Sequence, residues 1–190
     1  EDLLRRYFDR IASLLVDQNL MAIATANEEH PDTPQDKELL DASLDIMRAM
    51  TLSILRTFKE DVARKSSAIQ FLAEADIVSK LNLNLKGAYL QEAKLKEVNL
   101  INASLEEVNL TKVDLKRANL KEAHLEGANL KEADLEGAYL GGAYLGGTIL
   151  EETKLKDANF QGADLRAAKL LNIDLRNAKL QEANLRGIDL

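Results

Sequence analysis

The sequence predicts a mainly β protein, in which a four-sided parallel β-helix over residues 81–190 follows a small α-helical part over residues 1–80. Two observations carry this prediction. From Leu85 to Leu190 every fifth residue is Leu, with Phe160 as the one exception. Before residue 81 this period is absent, and apolar residues recur at helical spacing instead.

A period of five residues excludes a single helix or strand. On an α-helix five residues advance about 500°, so the Leu side chains would spiral around the surface. On a straight strand they would alternate between the two faces, because five is odd. A chain that turns a corner every five residues brings all of them into one core. Four such sides close a coil of about 20 residues, so the repeats form about five and a half coils and a column about 26 Å long, at about 4.8 Å per coil.

Within each side, the Leu and the residue two before it point the same way, by the period-two rule for strands. Both are predicted to face inward, and the residue between them outward. The predicted core is represented by Leu120, Leu125, Leu130, Leu135, Phe160, Ala118, Ala128 and Ala133. Thr148 and Thr153 also take inward positions, where their hydroxyls should bond a neighbouring carbonyl. All nine Gly fall at corners, where a positive φ is easiest for Gly.

Triplets such as 118–120, 128–130 and 133–135 read Ala-Asn-Leu or Ala-Asp-Leu. The pattern resembles the pentapeptide-repeat family, whose consensus is A-[DN]-L-x-x. The resemblance implies a right-handed quadrilateral β-helix with stacked Leu and Ala columns. The segment Met47–Arg56 is similar to helical front ends of some cyanobacterial members, and this favours a cyanobacterial source. A leucine-rich horseshoe is set aside, because it needs a period of about 20–29 residues.

The helical part should hold three amphipathic helices. The first carries its apolar stripe up to Leu15 and is expected to end near Asn19, before an exposed loop over residues 20–33. Thr33 is a candidate N-cap for the second helix, with Pro34 at its first position. The third is expected from about Asp61 to Val78, after a break at residues 59–61.

Both ends of the predicted column raise the question of what covers them. An open solenoid end exposes apolar side chains and strand edges, so capping of the first coil is the favoured role of the helices. A separate partner-binding module is the alternative. At the other end the chain stops within the repeat, which leaves Leu185, Ile188 and Leu190 uncovered. Either the chain continues or two molecules meet there, and the resemblance implies a homodimer through this end.

Several classes of function are disfavoured by composition. The chain has no Cys, so thiolate metal sites and cysteine nucleophiles are absent. No apolar run is long enough to span a bilayer, and a net charge of −7 disfavours nucleic acid and anionic membranes as partners. His30 and His124 lack neighbours at metal-ligand spacing, and no P-loop or nucleophile elbow is present. We therefore expect no catalytic residues, no metal, no cofactor and a cytoplasmic location, although the chain starts at Glu1 and a removed targeting segment stays open.

The outward positions offer one unusual cluster. Tyr139, Tyr144 and Ile149 follow one another on successive sides, beside corners made of paired Gly, and Leu171 is a further candidate, one coil on from Glu151. Exposed Tyr beside small residues suits a protein-binding surface. The competing interpretation is ordinary stacking between coils, with Tyr144 lying between His124 and Asp164. The Lys and Glu residues of the outer surface are expected to form weak ion pairs between coils.

Three function classes follow from these observations. The favoured one is a non-enzymatic interaction or scaffold protein with an unidentified protein partner. The resemblance also implies an alternative, a DNA mimic that modulates a type II topoisomerase (gyrase). Residues 81–190 hold 15 Lys and Arg against 17 Asp and Glu, and this near balance argues against mimicry. An enzyme is the weakest hypothesis, because its base would have to be His30 in a loop.

Overall fold

The computed structural model describes residues 2–17, 19–23 and 34–189. Within these ranges we number the helices in chain order as α1 Asp2–Asp17, α2 Pro34–Thr57, α3 Val62–Glu74 and α4 Ile77–Lys80. Residues 20–23 are also helical. From residue 86 onward the chain repeats a two-residue turn followed by a single bridging residue, up to Asp189.

The prediction of a loop over residues 20–33 is wrong for its first four residues. Residues 20–23 form a helical turn, and Leu20 is fully buried. Asn19 adopts a positive φ of 49°, which lets the chain leave α1 and place Leu20 in the core. The rest of the predicted loop, with His30 and the proposed cap Thr33, lies outside the described residues.

The third predicted helix is broken into α3 and α4. Asp61 caps α3, since its side chain accepts a hydrogen bond from the Arg64 N–H at 2.9 Å. The helix ends at Glu74 because Asp76 takes a left-handed conformation, with φ 57° and ψ 14°. Asp tolerates this conformation better than most residues, so the interruption is compatible with the sequence although the apolar period runs through it.

The second part of the chain is a column of coils that repeat every twenty residues. Parallel bridges join each outward residue to the one twenty positions later, from Tyr89–Asn109 to Lys169–Asp189. Around Leu130, the Leu130 N–H donates to the Ile149 carbonyl at 2.8 Å, and the Ile149 N–H donates to the Ala128 carbonyl at 3.0 Å. Each coil is therefore hydrogen-bonded to the next along the column axis.

A β-turn closes every five-residue side. The Ala133 N–H donates to the Leu130 carbonyl at 3.0 Å, and Glu132 between them has a φ of 57°. A positive φ at the third position is what a type II turn requires. The same position has a positive φ in every side from Gly87 to Gly187, in fourteen non-Gly residues and seven Gly. The coil therefore imposes this conformation, and Gly only makes it easier.

The inward positions predicted from the period form the core. The eight representative core residues are Leu120, Leu125, Leu130, Leu135, Phe160, Ala118, Ala128 and Ala133, and none exceeds 1% exposure. The two inward Thr hydroxyls bond carbonyls, as predicted. Thr148 Oγ1 donates to the Leu145 carbonyl at 2.7 Å, within its turn, and Thr153 Oγ1 donates to the Leu130 carbonyl at 2.9 Å, in the preceding coil.

Helical side chains bond the open edge of the first coil. In later coils, the backbone N–H and C=O groups of the outward residues bond to the preceding coil. The first coil has no preceding coil to supply these bonds. There, Ser66 Oγ accepts from the Lys94 N–H at 2.8 Å, and Gln70 Nε2 donates to the Lys94 carbonyl at 3.1 Å. Arg48 Nε donates to the Asn84 carbonyl at 3.1 Å. Polar side chains of α2 and α3 thus replace part of a missing strand partner.

The last described coil is less covered than those before it. Leu185 is 38% exposed, while Leu175, Leu180 and Ile188 are half-buried. These side chains line a small apolar cavity of about 60 Å³ that reaches inward to Leu150. Within the described part of the chain, the N–H groups of Leu175, Leu180 and Leu185 have no backbone carbonyl partner.

Candidate protein interface on the solenoid

The four predicted surface residues do not form one patch. Tyr139 is 56% exposed, Tyr144 43% and Leu171 50%, whereas Ile149 is half-buried. Tyr139, Tyr144 and Ile149 lie on three successive sides, separated by turns at residues 141–142 and 146–147. Leu171 lies in a turn of the next coil. A single partner would have to wrap around the column to touch all four.

Tyr139 borders a groove at one corner of the column, which we call the Tyr139 notch. Its other main boundaries are Gly141, Gly142 and Gly162, and its volume is about 590 Å³. Gly141 and Gly142 form the turn after Tyr139, and Gly162 occupies the same corner one coil later. The missing side chains create the notch, because in other coils this corner carries larger residues such as Lys121.

The amides on either side of Tyr139 belong to the same column of outward residues. Bridges join Asn119 to Tyr139 and Tyr139 to Asn159, and both Asn residues border the notch. Asn119 Oδ1 accepts from the Lys121 N–H at 3.3 Å, and Asn159 Oδ1 accepts from the Gln161 N–H at 3.0 Å. These bonds fix each amide against its own turn, so the Tyr ring lies between two positioned polar groups.

Two backbone groups of the turn at residues 141–142 are already paired within the column. The Gly142 N–H donates to the Gln161 carbonyl at 2.9 Å, and the Gly141 carbonyl accepts from the Glu122 N–H at 3.0 Å. The charged groups at its rim are Lys121, Glu122 and Glu182, and Lys121 Nζ lies 3.2 Å from Glu122 Oε1. The notch therefore offers an aromatic ring, amides and a slight excess of negative charge.

Tyr144 is engaged within the protein itself. Its ring lies 4.6 Å from that of His124, centroid to centroid, with the two planes 13° apart. On the other side of Tyr144, Asp164 forms a bidentate pair with Arg166, which lowers the pKa of the Asp164 carboxyl. The stacking that the sequence offered as the competing interpretation is present, so Tyr144 is the weaker of the two Tyr candidates.

Ion pairs between coils cover much of the remaining surface. Oppositely charged side chains meet at a separation of twenty residues, as in Lys112–Glu132 at 3.4 Å and Lys156–Glu136 at 3.6 Å. Hydrogen bonding to Glu151 and Glu152 raises the pKa of the Lys131 ammonium. Because these side chains are largely exposed, each pair contributes little to stability.

The family of the chain is established by the match of its repeats to a family model. The family model described as pentapeptide repeats, in eight copies, matches residues 84–121, 118–157 and 158–190, which is more than half of the chain. The chain belongs to the pentapeptide-repeat family. Among curated proteins, no significant match is found.

Solved pentapeptide-repeat proteins resemble the chain over part of its length. Rfr23 from the cyanobacterium Cyanothece 51142 is 34% identical, over 56% of this chain and 59% of that one, with a TM-score of 0.33. The protein alr5209 from Nostoc PCC 7120 is 43% identical, over 40% and 64%, with a TM-score of 0.40. HetL, involved in heterocyst differentiation regulation in Nostoc sp. strain PCC 7120, is 36% identical, over 56% and 57%, with a TM-score of 0.22.

These similarities have limits that follow from the coverage. The chain spans less than two thirds of each of these three solved pentapeptide-repeat proteins. All three TM-scores are low, so family membership rests on the repeat match alone. Cyanobacterial proteins are among the relatives.

The pentapeptide-repeat surface shows no metal centre within the described ranges, where no group of three or more His, Asp or Glu side chains converges. His124 Nδ1 lies 3.7 Å from Glu126 Oε1, which is a single contact. His30 lies outside the described residues. None of the described helices combines the length and apolarity that crossing a bilayer requires.

Sequence reasoning missed several residues of the Tyr139 notch. Asn119, Asn159 and Gly162 are twenty, twenty and twenty-three positions from Tyr139, so local inspection does not group them. Writing the pentapeptide repeats in rows of twenty would have aligned them. Tyr89, 45% exposed on another side of the first coil, was also overlooked as a surface aromatic.

Proposed function

We propose that this pentapeptide-repeat protein is a non-enzymatic interaction scaffold, with a column over residues 81–190 that binds a protein partner and a helical part over residues 1–80 that caps it. The family resemblance supports a right-handed quadrilateral column. The twenty-residue bridges and the turn in every side are compatible with that shape. The bonds from Arg48, Ser66 and Gln70 to the first coil support the capping role.

The observation that carries this proposal is the Tyr139 notch. Tyr139 is the most exposed aromatic residue in the described part of the chain, and it lies beside a corner that is formed largely by Gly residues. Aromatic residues next to a recess that admits a partner side chain are typical of binding hot spots. The ring needs little reordering on binding, because a Tyr side chain has few rotatable bonds and this one is flanked by Asn119 and Asn159.

The test is an affinity pull-down from a lysate of the source cells, with captured proteins identified by mass spectrometry. The baits are the full chain, Tyr139→Ala, Tyr144→Ala, a deletion of residues 1–80 and the matched control Tyr89→Ala, which removes an exposed Tyr from another side. The proposal expects a partner that Tyr139→Ala loses and Tyr89→Ala retains. A partner that all three Tyr variants retain, but that a deletion of residues 1–80 loses, would contradict the assignment to the column.

DNA mimicry toward a type II topoisomerase is supported less well. A mimic needs a long, strongly acidic surface, and the column carries 15 basic against 17 acidic side chains. Its Lys and Glu residues also alternate between coils and neutralise one another. A DNA gyrase supercoiling assay distinguishes the two functions, since the scaffold proposal expects no inhibition by a molar excess of the protein.

A homodimer through the C-terminal end of the solenoid and a cytoplasmic location both stay predictions. The dimer is supported by the partly exposed side chains of Leu180, Leu185 and Ile188. Sedimentation velocity of the full chain and of Leu185→Glu tests it, because a charge at this end should shift a dimer to the monomer. Fractionation of source cells tests the location.

A further inference from the structure

Two grooves flank α1 in the helical part of the chain, and they differ in charge. One lies between α1 and α2, with a floor of Tyr7, Met50 and Ile54 and a mouth formed by Leu3, Arg6 and Arg10. We call it the basic groove. The other lies between α1 and α3, on the opposite flank of α1.

The groove between α1 and α3 is neutral within itself. Its charged side chains are Arg5, Asp9, Asp61 and Arg64. Arg5 Nε lies 4.0 Å from Asp9 Oδ2, and Arg64 Nη1 lies 2.5 Å from Asp61 Oδ2. The two cations are balanced by two anions, so this groove carries no net charge.

The basic groove has two cations and no acidic residue among the described residues that line it. Arg6 pairs with Asp2 on its own helix, as Arg5 does with Asp9, so the unpaired charge of the basic groove is that of Arg10. Arg10 has no carboxylate within ion-pair distance in the part of the chain that the structure describes, and its side chain is exposed. This is unusual for its surroundings, because residues 1–80 hold 10 basic and 15 acidic side chains. The local positive charge therefore runs against the charge of the whole molecule.

Apolar surface accompanies this charge. Leu3 is 46% exposed at the mouth, and Ile46, on the same helix as Met50, is also 46% exposed. Met50 is half-buried, while Tyr7 and Ile54 are buried below it. The stretch of α1 from Leu3 to Arg10 is about 10 Å long at 1.5 Å per residue, which is about two helical turns. The groove has a volume of about 550 Å³.

We propose that the basic groove binds a short amphipathic helix of a partner protein, with its apolar side chains on the floor and an acidic side chain against Arg10. A helix of two to three turns presents apolar residues at i, i+4 and i+7, which matches the length of the groove. Arg10 presents its guanidinium at the mouth of the groove, and guanidinium is the side chain best shaped to bind carboxylates. This site is separate from the Tyr139 notch and does not depend on it.

The probe is a fluorescein-labelled fourteen-residue helical peptide with three Leu on one face and Glu residues beside them. Its matched control has Gln in place of every Glu. Fluorescence anisotropy with the full chain measures binding. We expect the Glu peptide to bind at least tenfold more tightly than the Gln peptide, despite the net charge of −7, and to weaken as salt is added.

Variants locate the binding. Arg10→Glu should weaken the Glu peptide at least tenfold, whereas Arg5→Glu, the same change on the other flank of α1, should have little effect. Ser53→Trp places bulk at the groove without changing charge and should also weaken binding. Circular dichroism of each variant verifies that the helices are intact.

Four results would overturn the proposal. They are no binding of the Glu peptide, equal affinity for both peptides, equal affinity of wild type and Arg10→Glu, and a loss with Arg5→Glu as large as with Arg10→Glu. Binding of the chain to anionic lipid vesicles that Arg10→Glu abolishes, without peptide binding, would assign the groove to a membrane surface instead. Self-association that Arg10→Glu abolishes would assign it to a second copy of the chain.

Discussion

Gly146 and Gly147 are neighbours in one turn, but only Gly147 has a backbone in the left-handed region, with a φ of 66°. A Cβ added at Gly147 would meet nothing within 4 Å. A Cβ at Gly146 would be 3.8 Å from the Arg166 carbonyl oxygen, an ordinary contact. Space is thus available at both positions, and backbone conformation alone distinguishes them.

Gly147→Ala should therefore destabilise the column by about 1 kcal/mol, the usual cost of a left-handed conformation in a residue with a Cβ. Gly146→Ala should be neutral or stabilising by a few tenths of a kcal/mol, because it restricts the unfolded chain without straining the fold. Urea denaturation followed by circular dichroism measures both. Equal effects of the two substitutions would contradict the assignment of the turn.

Leu130→Asp should unfold the column cooperatively. Leu130 is fully buried in the centre of the coils, and an unpaired carboxylate there has no water and no partner. Leu171→Asp is the control, since Leu171 is 50% exposed in a turn and should change stability by no more than about 0.5 kcal/mol. Circular dichroism at increasing temperature compares the two. An intact β signal in Leu130→Asp would show that the inward assignment is wrong.

Ser66→Ala should loosen the helical part from the first coil. It removes the acceptor for the Lys94 N–H, which has no preceding coil to bond. Leaving such a group unsatisfied costs about 1–3 kcal/mol when it is shielded from water. Hydrogen exchange should become faster at the Lys94 amide, while Ser67→Ala leaves it unchanged. The capping interpretation fails if Ser66→Ala does not alter exchange at this amide.

The helical part should lose stability between pH 10 and pH 12. Burial raises the pKa of the Tyr7 phenol to about 12, and the hydrogen bond with Thr51 opposes this only in part. The neutral phenol therefore stabilises the fold fully below pH 10, and this contribution is lost as the pH rises to about 12. A shift of two units corresponds to about 3 kcal/mol.

Tyr7→Phe tests this origin because it removes the titrating group and keeps the ring. The absorbance change of phenolate ionisation near pH 12 should disappear in this variant. Its stability should also become less dependent on pH between 10 and 12. An unchanged alkaline titration in Tyr7→Phe would assign the effect to another group.

Much of the column could be predicted because its pattern is local and repeats. The positions of Leu130 and Ala133 follow from the five-residue period alone, and so does the inward Thr153 with its carbonyl bond. The positive φ at Glu132 could not be foreseen, since Glu has no preference for it and the coil imposes it. The burial of Leu20 likewise depends on contacts with distant residues rather than on its neighbours in sequence.

The candidate sites were harder to predict for a related reason. The Tyr139 notch combines Tyr139 with Gly162 from the next coil, and the basic groove combines Arg10 of α1 with Met50 of α2. Each depends on which segments pack together, and also on which charges are already paired. The pair of Arg5 with Asp9 follows from their i, i+4 spacing in α1, whereas only the structure shows that the unpaired Arg10 borders an apolar groove.

The bridge between Asn119 and Tyr139 shows that outward residues lie side by side only when they are twenty positions apart in the sequence. Insertion of one five-residue unit before Tyr139 would rotate every later outward residue by one side, and would separate this ring from Asn119 without disturbing the core. Insertion of four such units would lengthen the column and leave the alignment of its sides unchanged. Lengths that differ by multiples of twenty can therefore preserve a binding surface, whereas other multiples of five preserve only the fold.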